Sequence, residues 1–291
     1  MPMVKFAKIT DYLSLVKINH TIFSLPFALI GFFLAVKTNG ENLSLRLLML
    51  VLLCVIFARN AAMGFNRYAD REFDKKNPRT ALREIPSAII RPRSAMVFVV
   101  INALLFILTA YFLNFLCFIL SPIALAVILG YSLTKRFTYL SHFFLGLGLA
   151  LAPIGAYLAV TARFDLLPLI YSFTVIFWVA GFDILYALQD IDFDKSENLK
   201  SLPATIGKKK ALMLSALFHA IAIGLVICGG LLGNFGYLYW IGSAVFTLLL
   251  FYEHLIVKPT DISRVNLAFA TMNGMASIIF ACFVIGDLYL V

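Results

Sequence analysis

Charged side chains are scarce in this 291-residue chain. Lys, Arg, Asp and Glu together make up 13% of the residues, about half of the share that a soluble globular domain carries. Apolar residues make up 62%, and the mean hydropathy is +0.94. This composition argues against a soluble enzyme, a disordered chain and a nucleic-acid-binding domain. It favours an all-α, polytopic membrane protein.

Cysteine pairs of the kind that hold metals or build disulfide frameworks are also missing. The four cysteines lie within apolar segments and none forms a CxxC pair: Cys54, Cys117, Cys228 and Cys282. We therefore predict neither a disulfide framework nor a metal knuckle. A cleaved signal peptide is not expected, because the first twenty residues are too long and polar for an n-region and no A-x-A-like site follows them.

Nine apolar segments are long enough to be read as membrane spans. Their approximate bounds are 18–36, 45–65, 95–112, 115–131, 143–160, 166–188, 211–232, 235–252 and 265–286. Pro26, Pro122 and Pro153 fall inside them and are expected to introduce kinks, which neighbouring helices can tolerate. We predict a single membrane domain over 1–291, in which helices 1–4 and 5–9 form two loosely similar halves.

The net charge of +9 is explained by membrane topology. With a cytoplasmic N-terminus, the cytoplasmic segments contain 20 of the 24 Lys and Arg residues, and the opposite side contains three. This asymmetry is the positive-inside pattern of membrane proteins. We expect the N-terminus inside, the C-terminus outside, and no nucleic-acid partner.

Two charge-rich stretches follow the second and sixth spans. The first contains Asn66, Asp70 and Asp74 at i, i+4 and i+8, which places them along one helix face. The second contains Asp190 and Asp194, again at i, i+4. The extra carboxylate of Asp192 is expected to face solvent, since i+2 lies on another side of the helix.

The carboxylates predict a magnesium and diphosphate site. If the two helices pack side by side, about four negative charges meet in a partly dry cavity and repel one another strongly. Two Mg2+ ions would balance them and leave coordination positions for an anion, for which a diphosphate is suited. The nearby basic residues could bind its remaining charge: Lys75, Arg79, Arg83, Lys135 and Lys195.

These motifs resemble those of a known family. The NxxxDxxxD run at 66–74 with NPRTxxRxIPS at 77–87, and the FDxxYxxQDxxxD run at 182–194 followed by SLPA, are similar to the two signatures of the UbiA superfamily of intramembrane aromatic prenyltransferases. The stretches at 130–146 and near Asn273 extend the resemblance over the whole chain. The residues of the motifs resemble those of 4-hydroxybenzoate polyprenyltransferases and, equally closely, those of the branch that serves menaquinone biosynthesis through futalosine.

The resemblance implies nine helices around a central cavity, capped by cytoplasmic loops. It implies Mg2+-dependent transfer of a polyprenyl group from its diphosphate to an aromatic acid in ubiquinone or menaquinone biosynthesis, at the inner membrane. The metal would be held by Asn66, Asp70, Asp74, Asp190 and Asp194. The diphosphate would be held by Asn66, Arg67, Arg79, Tyr131, Lys135 and Lys195. The four aspartates are therefore catalytic candidates, and Asp183 is a further one as acceptor of the phenol or ring proton.

There are three alternatives to this function. A dihydroxynaphthoate-type acceptor in menaquinone biosynthesis is one. A secondary transporter would place acidic residues near the membrane midplane in inverted repeats, whereas these carboxylates end two spans in parallel repeats. An alcohol phosphotransferase of the phosphatidyl type would need a dense aspartate, glycine, alanine and arginine motif, which the sequence does not contain.

Overall fold

The architecture is a bundle of long helices, seen in a computed structural model that describes residues 8–17 and 23–291. In chain order the helices are α1 (Ile9–Leu15), α2 (Leu25–Thr38), α3 (Leu45–Ala69), α4 (Arg71–Lys76), α5 (Pro92–Leu113), α6 (Phe115–Thr134), α7 (Ser141–Thr161), α8 (Leu166–Ala187), α9 (Ile191–Ser196), α10 (Leu202–Leu232), α11 (Tyr237–Ile256) and α12 (Asn273–Leu290). A 3₁₀ turn, Leu188–Asp190, joins α8 to α9, and a π-helical stretch, Leu267–Met272, leads into α12.

Eight helices in the described part of the chain are long and apolar enough to cross a membrane. The apolar α2 is shorter, at 14 residues. Residues 18–22 of the first predicted span lie outside the described residues. The observed helices agree with the predicted all-α architecture of about nine spans, because a chain in lipid must satisfy its backbone hydrogen bonds within helices. The chain is a multi-pass membrane protein.

The helices form a closed ring in chain order. The spanning helices pack each against the next along the chain, and α12 closes the ring by packing against α2. A further contact crosses the ring between α2 and α7. There, an added Cβ on Gly31 would lie 2.1 Å from the carbonyl oxygen of Pro153, so only glycine permits this close approach.

The prolines act differently from one another. Pro122 and Pro153 lie inside α6 and α7, as predicted. The prediction that Pro26 kinks a span is wrong, because Pro26 occupies the first turn of α2, where the missing N–H is not needed for a helical bond.

The aromatic core fills one side of the ring. Trp178 on α8 is fully buried and contacts Phe27, Phe182 and Phe246 at ring-centroid distances of 5.3, 5.2 and 6.0 Å. Its indole N–H donates to the side-chain oxygen of Asn273 at 2.6 Å. The other side of the ring, between α3 and α8, remains open as a cavity.

Candidate active site

The first acidic motif lies where α3 ends. Asp70 is the single residue between α3 and α4, capping the end of one and the start of the other, with φ −90° and ψ 2°. Its carbonyl still accepts the N–H of Asp74 at 2.8 Å. The prediction of one continuous helix face is therefore wrong in detail: a break at Asp70 separates two helices, although the i, i+4 spacing is kept across it.

The second acidic motif repeats this break. Asp190 ends the 3₁₀ turn after α8 and precedes α9, with φ −105° and ψ 5°. Asp74 and Asp194 each lie one turn into the short helix that follows and are buried, at 6% and 8% exposure. Asp192 is exposed, as predicted from its spacing. Both motifs thus present one aspartate at a helix break and one buried aspartate beyond it.

Basic side chains pair with three of the four aspartates. The guanidinium of Arg79 binds both oxygens of Asp190, at 2.9 and 2.5 Å. Arg83 binds Oδ1 of Asp74 at 2.7 Å. Lys135 binds Oδ2 of Asp70 at 2.8 Å. Among the described residues, Asp194 has no ion-pair partner.

The Arg79 guanidinium stays charged in this setting. Burial lowers its pKa, but the hydrogen bond and the negative charge of Asp190 raise it by more, with a further contribution from Tyr186. The net result is a pKa above the ordinary value for arginine. Arg79 also donates to the Tyr186 hydroxyl at 2.9 Å. It therefore links the two acidic motifs as a permanent cation.

Some carboxylate oxygens are left without hydrogen bonds. Oδ1 of Asp70 and Oδ2 of Asp74 are buried and have no hydrogen-bond partner. Within the described residues, no three His, Cys, Asp or Glu side chains come together closely enough to enclose a metal ion. Mg2+ is usually held by one or two carboxylates together with waters and substrate phosphates. The Arg136 guanidinium lies 3.6 Å from Oδ1 of Asp70, beyond hydrogen-bond distance. The oxygens without hydrogen bonds therefore fit a metal shared between protein and substrate.

A cavity of about 630 Å³ opens beneath the aspartates. Eleven predicted site residues line it: Asn66, Arg67, Asp70, Asp74, Arg79, Arg83, Tyr131, Lys135, Asp183, Asp190 and Asp194. Its deeper wall is mostly apolar and includes Phe106, Leu113, Leu120 and Val127. The cavity is thus charged at one end and suited to a hydrocarbon chain at the other.

Comparison with known proteins decides the family. The model of the UbiA prenyltransferase family matches residues 24–277. The chain belongs to this family. The 4-hydroxybenzoate octaprenyltransferase of Paraburkholderia phymatum is 30% identical over 276 residues, which are 95% of this chain and 96% of that protein. The enzyme of the same name from Vesicomyosocius okutanii is 32% identical over 248 residues, covering 81% and 86%.

Solved structures show the same fold. The apo structure of a UbiA homologue from Aeropyrum pernix K1 superposes with a TM-score of 0.84 at 33% identity, covering 93% of this chain and 98% of that one. A UbiA homologue from Archaeoglobus fulgidus bound to GPP and Mg2+ superposes with a TM-score of 0.69 at 22% identity, covering 96% and 99%. The chain is a membrane prenyltransferase of the UbiA family.

Two predicted lysines of this UbiA chain lie apart from the other site residues. Lys195 is exposed and is not among the residues that line the cavity, since it follows the buried Asp194 on the outer side of α9. Lys75 is exposed in the same way on α4. The roles of all the predicted residues stay predictions, but these two lysines do not share the position of Arg79 and Lys135.

Two residues that the motifs did not single out as site residues also line the cavity of this UbiA chain. Arg59 lies on α3, eleven residues or about 16 Å of helix before Asp70. Its guanidinium donates to the carbonyl oxygen of Lys17 at 3.2 Å, and its Nε has no hydrogen-bond partner. His142 is the second residue of α7 and binds Asp183, with 2.7 Å between Nδ1 and Oδ2. The charge of Arg59 within a span was the available signal for the first.

Proposed function

We propose that this chain transfers a polyprenyl group from a polyprenyl diphosphate to an aromatic acid of the 4-hydroxybenzoate type, with Mg2+, in quinone biosynthesis. The observation that supports it best is the shape of the cavity, which joins four aspartates and their basic partners to a deep apolar pocket. The names of the relatives point to the same acceptor. A long isoprenoid chain is poorly soluble in water, which explains a site within the bilayer.

The diphosphate would bind at the charged end of the cavity. Asn66, Asp70, Asp74, Asp190 and Asp194 are the residues that would hold Mg2+. Bound Mg2+ would supply positive charge to the leaving diphosphate. Arg67, Arg79, Tyr131 and Lys135 would bind phosphate oxygens, since guanidinium and ammonium groups form strong charge-assisted hydrogen bonds with phosphates.

The basic residues stabilise the leaving group as the allylic C–O bond breaks. The electron pair of that bond passes to the diphosphate oxygen, and the charge that develops there meets Arg79 and Lys135. Both side chains are about one-third exposed and held by carboxylates, Arg79 by Asp190 and Lys135 by Asp70. With Mg2+ held by the aspartates, Arg79 and Lys135 would exchange these carboxylates for phosphate oxygens.

The allylic cation needs a site without water. Aromatic side chains line the cavity next to the aspartates, among them Phe23, Phe182, Tyr186 and Phe269. Ring faces attract cations, and their bulk excludes the water that would otherwise capture the cation as an alcohol. A ring carbon ortho to the phenol oxygen of the acceptor attacks the cation, and Asp183 accepts the proton.

The acceptor's carboxylate would bind deeper in the cavity. Arg59 offers a guanidinium on the α3 wall, and its unpartnered Nε is a free donor. Asp183 lies on α8, seven residues or about 10 Å of helix before Asp190. A phenolic acid bound between Arg59 and Asp183 would have its two polar ends matched by a cation and a carboxylate.

Orientation and cellular site complete the proposal. The positive-inside pattern supports a cytoplasmic N-terminus, a C-terminus on the opposite side, and a location in the inner membrane. The shared break at Asp70 and Asp190 supports a single domain made of two related halves.

The experiment is an assay of the purified chain in lipid vesicles with a polyprenyl diphosphate, Mg2+ and either 4-hydroxybenzoate or 1,4-dihydroxy-2-naphthoate. The products are read by mass. Prenylated 4-hydroxybenzoate supports the proposal. Prenylated naphthoate alone would replace the acceptor, and no prenylated aromatic product would refute the function.

A further inference from the structure

His142 and Asp183 form a pair on the wall of the cavity, and the function proposed above gives His142 no role. Nδ1 of His142 and Oδ2 of Asp183 are 2.7 Å apart. Both residues line the cavity, but their exposure differs: the side chain of Asp183 is 23% exposed and that of His142 is 4% exposed. The carboxylate therefore faces the cavity, and the imidazole lies behind it.

The packing of α7 on α8 holds this pair in register. One turn after His142, Gly146 approaches α8 so closely that an added Cβ would lie 2.5 Å from the carbonyl oxygen of Ile176. A turn further on, the Ser172 hydroxyl donates to the carbonyl oxygen of Ala150 at 2.9 Å. These contacts run along one face of two antiparallel helices. The imidazole reaches Asp183 because glycine lets the two backbones come together.

The imidazole has no other hydrogen bond to make. Nε2 of His142 is buried and has no partner. Among the described residues, the Asp183 carboxylate has one hydrogen-bond partner, which is His142. A carboxylate held through one oxygen has its second oxygen available to a molecule in the cavity. His142 therefore acts on the site through one hydrogen bond, which Nδ1–H donates to Oδ2 of Asp183.

We propose that His142 is a positioning residue, which orients the Asp183 carboxylate so that its free oxygen accepts the proton released by the aromatic acceptor. This inference rests on the proposed function. In the step, a π-electron pair of the ring carbon forms the C–C bond to the allylic carbon whose C–O bond has broken. The C–H pair of that ring carbon then returns to the ring, and its proton moves to the free oxygen of Asp183. The proton leaves the site with the diphosphate or with water.

Two substitutions distinguish whether His142 acts through its hydrogen bond to Asp183 or only through the volume of its side chain. In His142→Asn the amide nitrogen occupies the place of Nδ1 and keeps the donor to Asp183. His142→Leu keeps approximate volume and removes the donor. Misplacement of a reacting group by about 1 Å costs about 100-fold in rate, so we expect His142→Leu to lose about 100-fold in prenylated product and His142→Asn to stay within a few-fold of the wild type.

The assay measures prenylated product and released diphosphate in the same reaction, with ring-deuterated acceptor as a second readout. In His142→Leu, diphosphate release should exceed product formation, because the cation still forms and is captured by water. Deuterium at the attacked carbon should slow this variant and leave the wild type unaffected, because proton removal becomes slow only without an oriented base. A purely structural role of His142 would change neither the ratio of product to released diphosphate nor the ratio of the rates with unlabelled and deuterated acceptor.

Ser172→Ala is the matched control, since it removes another hydrogen bond between α7 and α8 away from the cavity. It should keep product and diphosphate release equal. If His142→Leu does not fold, His142→Gln replaces it, because its amide lies at the Nε2 position and cannot reach Oδ2. The inference would be overturned if wild type and His142→Leu showed the same ratio of prenylated product to released diphosphate. It would also be overturned if His142→Asn were as impaired as His142→Leu. A wild type that makes no prenylated aromatic acid would instead refute the proposed function.

Discussion

Replacing Arg79 by methionine should change metal binding and diphosphate binding in opposite directions. Arg79 now occupies both oxygens of Asp190, at 2.9 and 2.5 Å. A metal ion that binds without substrate must displace this guanidinium. Prenyl diphosphate, however, needs the guanidinium for its own negative charge. Arg79→Met should therefore tighten Mg2+ binding in the absence of substrate and weaken binding of the prenyl diphosphate in the presence of Mg2+.

The size of the effect follows from the exposure of the pair. Hydrogen bonds between charged groups contribute about 1.5–3 kcal/mol, but the side chain of Arg79 is 31% exposed, and water screens such pairs. We take about 1.4 kcal/mol, which corresponds to about tenfold in an equilibrium constant. Mg2+ alone should bind about tenfold more tightly to Arg79→Met. Prenyl diphosphate should bind to Arg79→Met at least about tenfold more weakly than to the wild type.

Calorimetric titrations of wild type and variant measure both affinities. Lys75→Met is the control, because it removes the same charge from an exposed side chain that does not line the cavity, and it should change neither affinity. Because the pKa of Arg79 is raised above its ordinary, already strongly basic value, the guanidinium stays charged and its share of the ion pair is lost only at strongly alkaline pH. The wild-type affinities should thus show no titration of Arg79 at neutral or mildly alkaline pH. If Arg79→Met weakens both ligands alike, the exchange of partners is refuted.

Two further perturbations test other parts of the molecule. Arg59→Met should raise the KM for the aromatic acid about tenfold or more, since a charge-assisted hydrogen bond is lost. The KM for the prenyl diphosphate should stay nearly unchanged. The reverse pattern in steady-state kinetics would contradict the proposed acceptor site. Gly31→Ala should lower the thermal midpoint in detergent, because the new Cβ meets the Pro153 carbonyl oxygen at 2.1 Å and overpacking costs about 1–3 kcal/mol. Gly224→Ala has open space around it and should not destabilise, so equal losses in the two variants would refute the packing argument.

The spans could be predicted because lipid leaves the backbone few choices. An apolar run in a bilayer must form a helix, and the runs at 95–112 and 115–131 correspond closely to α5 and α6. The helix ends could not be predicted from hydropathy. The helix α10 begins at Leu202, nine residues before the apolar run, and the backbone of Gly207 (φ 81°, ψ 162°) divides it into a short first segment and the spanning part. Hydropathy indicates neither the polar first segment nor this break.

The metal motifs could be predicted because their spacing is local. Asp190 and Asp194 lie four residues apart, and a helical turn brings such residues to one face whatever the rest of the chain does. His142 could not be found in this way. Its partner Asp183 is 41 residues away, and the pair exists only because Gly146 sets the distance between α7 and α8. A histidine beside an apolar run gives no local sign of such a partner.

Above all, we propose that the carboxylates at the two helix breaks carry Mg2+-dependent prenyl transfer. The direct measurement is the yield of prenylated 4-hydroxybenzoate from Asp70→Ala and Asp190→Ala, each purified and compared with the wild type across a Mg2+ titration, with the thermal midpoint as the measure of folding. We expect both variants to remain folded and to form no product at any Mg2+ concentration. Full, Mg2+-dependent activity in both variants would contradict the claim.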